Sequence, residues 1–370
     1  MAIIKTIPYV NLAAQWISER DSLIPIIDRV FSSGQYIGGQ CVEEFEEKAA
    51  KLCDTKYCVA LNSGTDALVC GLIALGVKRG DEVITPPNSF IASTAAIVHI
   101  GAIPVFADVL PDQNIDPQKI ESAITSKTKA IMPVHLTGRM ARMDEIKQIA
   151  ERHRIPIIED AAQSIGSRYL DIPAGKWGKI GSFSAHPLKN LNACGDSGFL
   201  VTDDREMAYQ VKLMRNHGMK DRNTVVRFGY VSRMDAFQAA ILTFRIKNLA
   251  TITTQRRKNA ALYLKLLDRT KIFIPEDRPE EFNTYHTFVI QVNHRNQLQK
   301  QLKEVGIETS IHYPIPIHLQ PAARELGYKT GDFPVSELQA DKILTLPIHQ
   351  FLTKGEITEI SNQVNQHSKS

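Results

Sequence analysis

The order of strand-like and helix-like segments constrains this chain more than any other feature. Residues 42–52 put Val42, Phe45, Ala49 and Leu52 on one helical face, with Glu and Lys opposite. Tyr57–Leu61 is a short β-rich run. Residues 65–75 are apolar all round, as a buried helix is, and Gly76 stops them. The pattern then repeats. A strand over Glu82–Thr85 ends at Pro86-Pro87, and a helix over residues 89–100 is stopped by Gly101. A strand follows over 103–107, then Asp116 as an N-cap with Pro117 at the first helical position. A strand over 130–134, an amphipathic helix over 144–152 and a strand over 155–158, running into Glu159-Asp160, complete the series.

Such alternation predicts a mostly parallel sheet with helices on both faces. In open sheets of this kind the ligand sits beyond the carboxyl ends of the strands. The residues there are Asn62 to Thr65, Pro86 to Asn88, His135 and Asp160, a polar and turn-forming set that suits one shared pocket. Further on, residues 181–202 are short-stranded and rich in Gly, Asn and Ser. A long helical region runs from about Asp235 to Leu267, and the last hundred or so residues read as a smaller α/β domain.

Composition removes whole classes of function. With 370 residues, of which 43% are apolar and 23% charged, the chain has the makeup of a globular protein of about two domains. A net charge of +4 with no long basic run gives no support to a nucleic-acid binder. The N-terminus reads as no signal peptide, and the most apolar stretch, 67–77, is too short to span a bilayer. Five scattered cysteines without a CxxC pair read as reduced thiols of a cytoplasmic protein, and no His/Cys cluster has zinc spacing, so no metal is expected.

Three places carry candidate chemistry. Asn62-Ser63-Gly64-Thr65-Asp66 is a polar turn between a strand and a buried helix. It is either an anion site for a phosphate, with the Thr65 hydroxyl as an extra donor, or an ordinary N-cap. Asp160 ends a β-branched strand, where a carboxylate is costly unless it meets a cation or donors. It either pairs with a protonated heterocycle nitrogen or caps the following turn, which would place Gln163 on its side. Lys189 sits among small and apolar residues and is either a desolvated nucleophile or a loop lysine at the surface.

Taken together, these stretches resemble the sugar aminotransferases of the DegT/DnrJ/EryC1/StrS family, which use pyridoxal phosphate. The matching runs are NSGTDAL (62–68), GDEVITPPNSFIAST (80–94), IIEDAAQSIGS (157–167), GSFSAHPLKNLNACGDSG (181–198), RNHG (215–218) and GYVSRMDAFQAAIL (229–242). YIGGQCVEEFE near the start and HYPIPIHLQ near the end also fit. The resemblance implies an α/β, aspartate-aminotransferase-like fold (fold type I). Its large domain, over 1–250, has a mostly parallel seven-stranded sheet, and a smaller C-terminal α/β domain covers 251–370. It implies that Lys189 forms the Schiff base with the cofactor, that Asp160 pairs with the pyridine nitrogen and that Gln163 lies near the 3-hydroxyl. Phe90 would stack on the ring, and Gly64, Thr65 and Ser184 would cradle the phosphate. His186, His312, Tyr313 and His318 become candidates for facing the sugar or its diphosphate, as against packing the loops that carry them.

One departure stands out. The family usually has Asn where this chain has Val231, and that Asn reaches the cofactor phosphate of the partner subunit. Ser232, Arg233 or water would have to substitute, or the phosphate has one contact fewer. The remaining implications are a homodimer with active sites at the subunit interface, L-glutamate as amino donor leaving as 2-oxoglutarate, and a nucleotide-linked ketosugar as acceptor. Relatives that act as dehydratases carry His at the Schiff-base position, so Lys189 favours transamination. KNLNACGDSG and HYPIPIHLQ look more like relatives acting on 3-ketosugars than on 4-ketosugars. The aminosugar would go to a surface polysaccharide or a glycoside.

Overall fold

Gly34 and Gly76 end their helices for the same reason. Both take a left-handed backbone (φ 69° and 80°), which lets the chain turn out of the helix without a Cβ clash. The computed structural model describes residues 6–368. Its first helices are α1 (Leu12–Ser33), capped by Asn11 and closed by Gly34, and α2 (Gln40–Leu52). Then come β1 (Tyr57–Leu61), α3 (Gly64–Ala74), β2 (Glu82–Thr85), α4 (Ile91–His99) and β3 (Ile103–Phe106). Next are α5 (Pro117–Ala123), with Asp116 as its N-cap and Pro117 in its first turn, β4 (Thr128–Ile131), α6 (Met143–His153) and β5 (Ile158–Asp160).

The two strands β6 (Ile180–Ser184) and β7 (Gly198–Thr202) follow, then α7 (Arg205–Met214) and the 31-residue α8 (Ala236–Leu266). The last elements are β8 (Phe288–Gln291), α9 (Arg295–Glu304), α10 (Pro334–Lys342), β9 (Ile343–Leu346) and α11 (Lys354–His367). Strand β3 pairs with β2 and β2 with β4, all parallel. A four-stranded ladder runs β1-β7-β6-β5, with β7 antiparallel to both neighbours and β5 parallel to β6. Isolated parallel bridges, Ile131 to Ile157 and Val134 to Asp160, lie between β4 and β5.

Two strands start or stop differently from the sequence expectation. The run expected over 155–158 becomes β5 at Ile158–Asp160. Pro156 has no N–H for a ladder, so regular pairing begins only beyond it. The run expected over 130–134 ends at Ile131, and Pro133 stands just past that end. Helix α8 runs unbroken through residue 250, so the chain does not change direction there.

Burial follows the layers. One apolar cluster joins α2 to β1, β6 and β7 through Phe45, Phe183 and Phe199. A second packs α3 on the opposite face through Leu68, Leu72, Ile158 and Leu200. A third collects Tyr263, Phe288, Leu344, Ile360 and, from the start of the chain, Ile7. Among the described residues no helix is long and apolar enough to cross a membrane.

Candidate active site

The carboxyl ends of β1, β5 and β6, the start of α3 and the loop after β6 meet at a cavity of about 340 Å³. Ser63 caps α3, its Oγ accepting from the Asp66 N–H at 3.1 Å. The helix start is pressed hard against the sheet. A Cβ on Gly64 would come within 2.8 Å of Ser184 Cβ, and one on Gly198 within 2.3 Å of the Ser63 carbonyl carbon. Glycine at both positions therefore lets the N-terminus of α3 sit beside Ser184. Ser63, Gly64, Thr65, Ser184 and Ser197 all line the cavity, so hydroxyls and a helix N-terminus share one wall.

Asp160 projects from the end of β5. Its Oδ2 accepts from Ser93 Oγ at 2.7 Å and its Oδ1 from the Ala162 N–H at 3.1 Å. Burial raises its pKa, against the pull of those two donors and of Lys189. Lys189 stands in a turn closed by its own N–H on the His186 carbonyl (2.8 Å). Burial pushes its amine down to about 8, with Asp160 opposing. The lysine is thus desolvated, and among the described residues no carboxylate lies within 4 Å of its Nζ. It fits the first of the two readings open from the sequence.

Gln163 accepts from the Thr137 N–H at 2.8 Å and is also hydrogen-bonded by the Tyr313 phenol. Phe90 precedes α4 with 55% of its surface exposed, on the cavity wall, its ring centroid 5.7 Å from that of Tyr313. His186 and His312 line the same space. The His312 Nδ1 lies 2.9 Å from Thr345 Oγ1, and burial first, then Lys189, pushes this imidazole down to about 4. Burial lowers His186 as well.

His318 is not brought to the cavity. It is buried against Phe333, with Nε2 2.9 Å from Glu337 Oε1, because the Pro-rich segment folds back over Phe106 and Tyr328. This is the packing arrangement left open for the segment, and His318 is not among the residues lining the cavity. Val231 is half exposed and bridges to Asn216. Of its two possible substitutes, Ser232 is buried and bonded to Asn62 at 3.1 Å, and Arg233 donates to Asn216 Oδ1 at 3.2 Å.

Sequence reasoning missed Ser93, Tyr9, His286, Arg256 and His349, all of which line the cavity. Ser93 was open to discovery: it lies three residues after Phe90 and so on the same side of α4. Arg256 is one of several basic residues on α8, and nothing in the sequence marks it off from Arg245 or Arg257. The donor set as a whole fits pyridoxal phosphate. A desolvated amine suits an aldehyde, a buried carboxylate suits a ring nitrogen, and the hydroxyl-lined start of α3 suits a phosphate.

The family model described as the DegT/DnrJ/EryC1/StrS aminotransferase family matches residues 18–365. A "pleiotropic regulatory protein" of Geobacillus stearothermophilus is 40% identical, covering 92% of this chain and 93% of its own. The dTDP-3-amino-3,4,6-trideoxy-alpha-D-glucose transaminase of Streptomyces venezuelae is 37% identical over 97% of this chain and 96% of its own. Among solved structures, S. venezuelae DesV in complex with a ketimine intermediate superposes with a TM-score of 0.96 at 36% identity, covering 99% of both chains. The PLP form of the Streptococcus pneumoniae sugar aminotransferase Spr1654 gives 0.89 at 27% identity, covering 94% of this chain and 95% of that one.

Proposed function

Because this chain belongs to the DegT/DnrJ/EryC1/StrS family and is a sugar aminotransferase, we propose that it moves an amino group from L-glutamate to C-3 of a nucleotide-linked 3-keto-6-deoxyhexose, using pyridoxal phosphate and its pyridoxamine form. The observation that carries this reading is the pairing of a desolvated Lys189 with a buried Asp160 in one cavity whose wall is the start of α3.

Lys189 would hold the cofactor through Nζ, Asp160 its ring nitrogen, Gln163 its 3-hydroxyl side and Phe90 its ring face. Gly64, Thr65 and Ser184 would hold its phosphate. When bound, the cofactor supplies an electron sink that stabilises negative charge on the reacting carbon. Asp160 keeps a proton at the ring nitrogen. Lys189, with its lowered basicity, takes the proton from the donor carbon and returns it on the other side of the transfer. His186, His312 and Tyr313 border the space left for the sugar. Burial weakens His186 and His312 as proton acceptors, which leaves Lys189 as the stronger base.

Amination at C-3 is supported by the KNLNACGDSG and HYPIPIHLQ stretches and by the 3-amino product that the S. venezuelae relative's name carries. A homodimer is supported by the apolar face that α1 and the following turn leave exposed, with Trp16, Ile17, Ile24, Phe31 and Tyr36, and by Phe228, 99% exposed. The four- and three-stranded ladders, bridged between β4 and β5, read as one seven-stranded sheet of a large domain over 1–250. The separate apolar cluster around Tyr263 and Phe288 reads as the small domain over 251–370. The product would be an aminosugar for a surface polysaccharide or a glycoside.

The test is a visible absorption spectrum of the purified protein before and after L-glutamate, followed by NMR of the product formed from 3-keto and 4-keto nucleotide sugars. Loss of the pyridoxal band on adding glutamate and a nitrogen at C-3 bear the proposal out. An unmoved band removes glutamate as donor, and a nitrogen at C-4 removes the 3-ketosugar.

A further inference from the structure

The cavity holds a second cation that the mechanism above does not use. Arg256, on α8, is only 6% exposed and lines the cavity with Tyr9, His286, His312 and His349. Its Nη1 donates to the Tyr285 and His286 carbonyls at 3.1 and 3.2 Å, and its buried Nε has no hydrogen-bond partner.

Two other buried arginines are ion-paired: Arg245 is held by Glu19 at 2.7 Å and Arg139 by Asp277 and Glu281. Arg295, away from the cavity, has the negative Asp341 near it. Among the described residues no carboxylate lies within 4 Å of Arg256, and the Tyr9 phenol is the group that offsets part of the burial lowering its pKa. The imidazoles around it are neutral. Burial holds His286 well below its ordinary value and His349 down to about 4, while His349 Nε2 is bonded to the Pro8 carbonyl at 3.1 Å. A buried charge without a counter-charge is costly, so a site of this kind is completed by an anion from outside.

We propose that Arg256, with Tyr9 beside it, receives a carboxylate of the amino-acid donor; this rests on the aminotransferase reading of the same cavity. Three anions enter such a site. The cofactor phosphate has its own wall at the start of α3, with Thr65 and Ser184. A sugar diphosphate carries bulky esters on both sides, which a deeply buried guanidinium with one nitrogen already committed to two carbonyls disfavours. A small planar carboxylate matches the free part of the guanidinium fork. Arg256 would then select the donor in the first half of the cycle and leave the sugar in the second half untouched.

Transamination of this type runs as two separable half-reactions, so each is measured alone. The holoenzyme and its Arg256→Lys and Arg256→Met variants are mixed with L-glutamate and followed by cofactor absorbance. The pyridoxamine forms are then mixed with the ketosugar. Half-saturation by glutamate should rise about 10- to 100-fold in both variants, the loss expected for one charge-assisted pair, while that for the ketosugar stays within about 2-fold. Glutarate, a donor analogue without an amine, should raise the melting temperature of wild-type holoenzyme and not that of the variants. Arg256→Lys keeps a donor for the two carbonyls, so the test survives if Arg256→Met does not fold. Unchanged glutamate half-saturation, or a shift confined to the ketosugar, would overturn the proposal. A wild-type holoenzyme that ignores glutamate overturns the donor assignment instead, and glutarate protection that is equal in wild type and variants then overturns the role of Arg256.

Discussion

Ser93 Oγ stands 2.7 Å from Asp160 Oδ2, so a hydroxyl from α4 favours the ionised form of the carboxylate at the end of β5. Burial is the larger influence and raises the pKa of Asp160; Ser93 is the first of the groups that lower it. Ser93→Ala removes that donor and lets the pKa rise further. An acid with a raised pKa is lost at low pH first, so the acid limb of the kcat profile should move to higher pH. Loss of a hydrogen bond to a charged group predicts a fall in kcat of about 10-fold or more at neutral pH. Steady-state rates between pH 5.5 and 9 check both, and an unmoved acid limb would separate Ser93 from the ionisation of Asp160.

The amine of Lys189, pushed down to about 8, has its own consequence before any cofactor binds. An amine attacks an aldehyde only when neutral, so pyridoxal phosphate uptake by apoprotein should speed up with pH and level off above about 8. The same shift bears on stability. Between the folded value near 8 and the ordinary value of 10.5 the unfolded chain binds more protons, so this lysine destabilises the fold most below pH 8 and progressively less above it. Lys189→Met apoprotein should therefore be more stable than wild type at pH 7, with the gap closing towards pH 10. Urea unfolding at several pH values tests this, and Lys189→Ala holoenzyme assays should show no multiple turnover.

Gly64 is a close-approach glycine rather than a conformational one. Its added Cβ would meet Ser184 Cβ at 2.8 Å and the Ser184 backbone at 3.1 Å. Gly64→Ala should push the start of α3 away from Ser184 and open the wall assigned to the phosphate. Overpacking of this size costs about 1–3 kcal/mol, so the protein should still fold. Its affinity for pyridoxal phosphate should drop about 10-fold or more, as measured by fluorescence titration. Ser184→Gly in the same background removes the clashing Cβ and should restore part of the loss.

Local signals told most where one residue decided an outcome. The strand Tyr57–Leu61, the Asp116-Pro117 helix start and the Gly76 stop form as the sequence predicts, because short apolar strand runs, caps and breakers act within a few residues. Lys189, Asp160, Gln163, Phe90, Thr65 and Ser184 lie on one cavity because strand ends in such a sheet converge. The same rule pointed at His135 and Asn88, and there it failed. Asn88 donates to the Gln113 carbonyl instead, and His135 turns into the core. The orientation of His318 is open in the sequence for a related reason. A Pro- and His-rich run has no periodicity, and only tertiary contact with Phe333 and Glu337 fixes which way it faces. Arg256 and Tyr9, about 250 residues apart in the chain, share a site that no local pattern announces.

His135 leads to a stability test rather than a catalytic one. Both it and Glu159 are fully buried, with His135 Nε2 2.9 Å from Glu159 Oε2. The Ala141 N–H donates to His135 Nδ1 at 3.2 Å, so the ring is the Nε2–H tautomer and donates to Glu159. The carboxylate also accepts from the Gly175 and Gly178 N–H groups at 2.9 and 2.7 Å, which tie the loop before β6 to the strand that carries Asp160. Three donors converge on one acceptor-only group. Glu159→Gln keeps the shape but turns an NH2 towards those donors, and His135→Phe keeps the volume but leaves Glu159 one donor short and the Ala141 N–H without a partner. An unsatisfied buried polar group costs about 1–3 kcal/mol. Each variant should therefore lose stability by that order in urea unfolding, and the double variant should lose less than the sum because the two residues share one network. Strictly additive losses would show that the contact does not couple them.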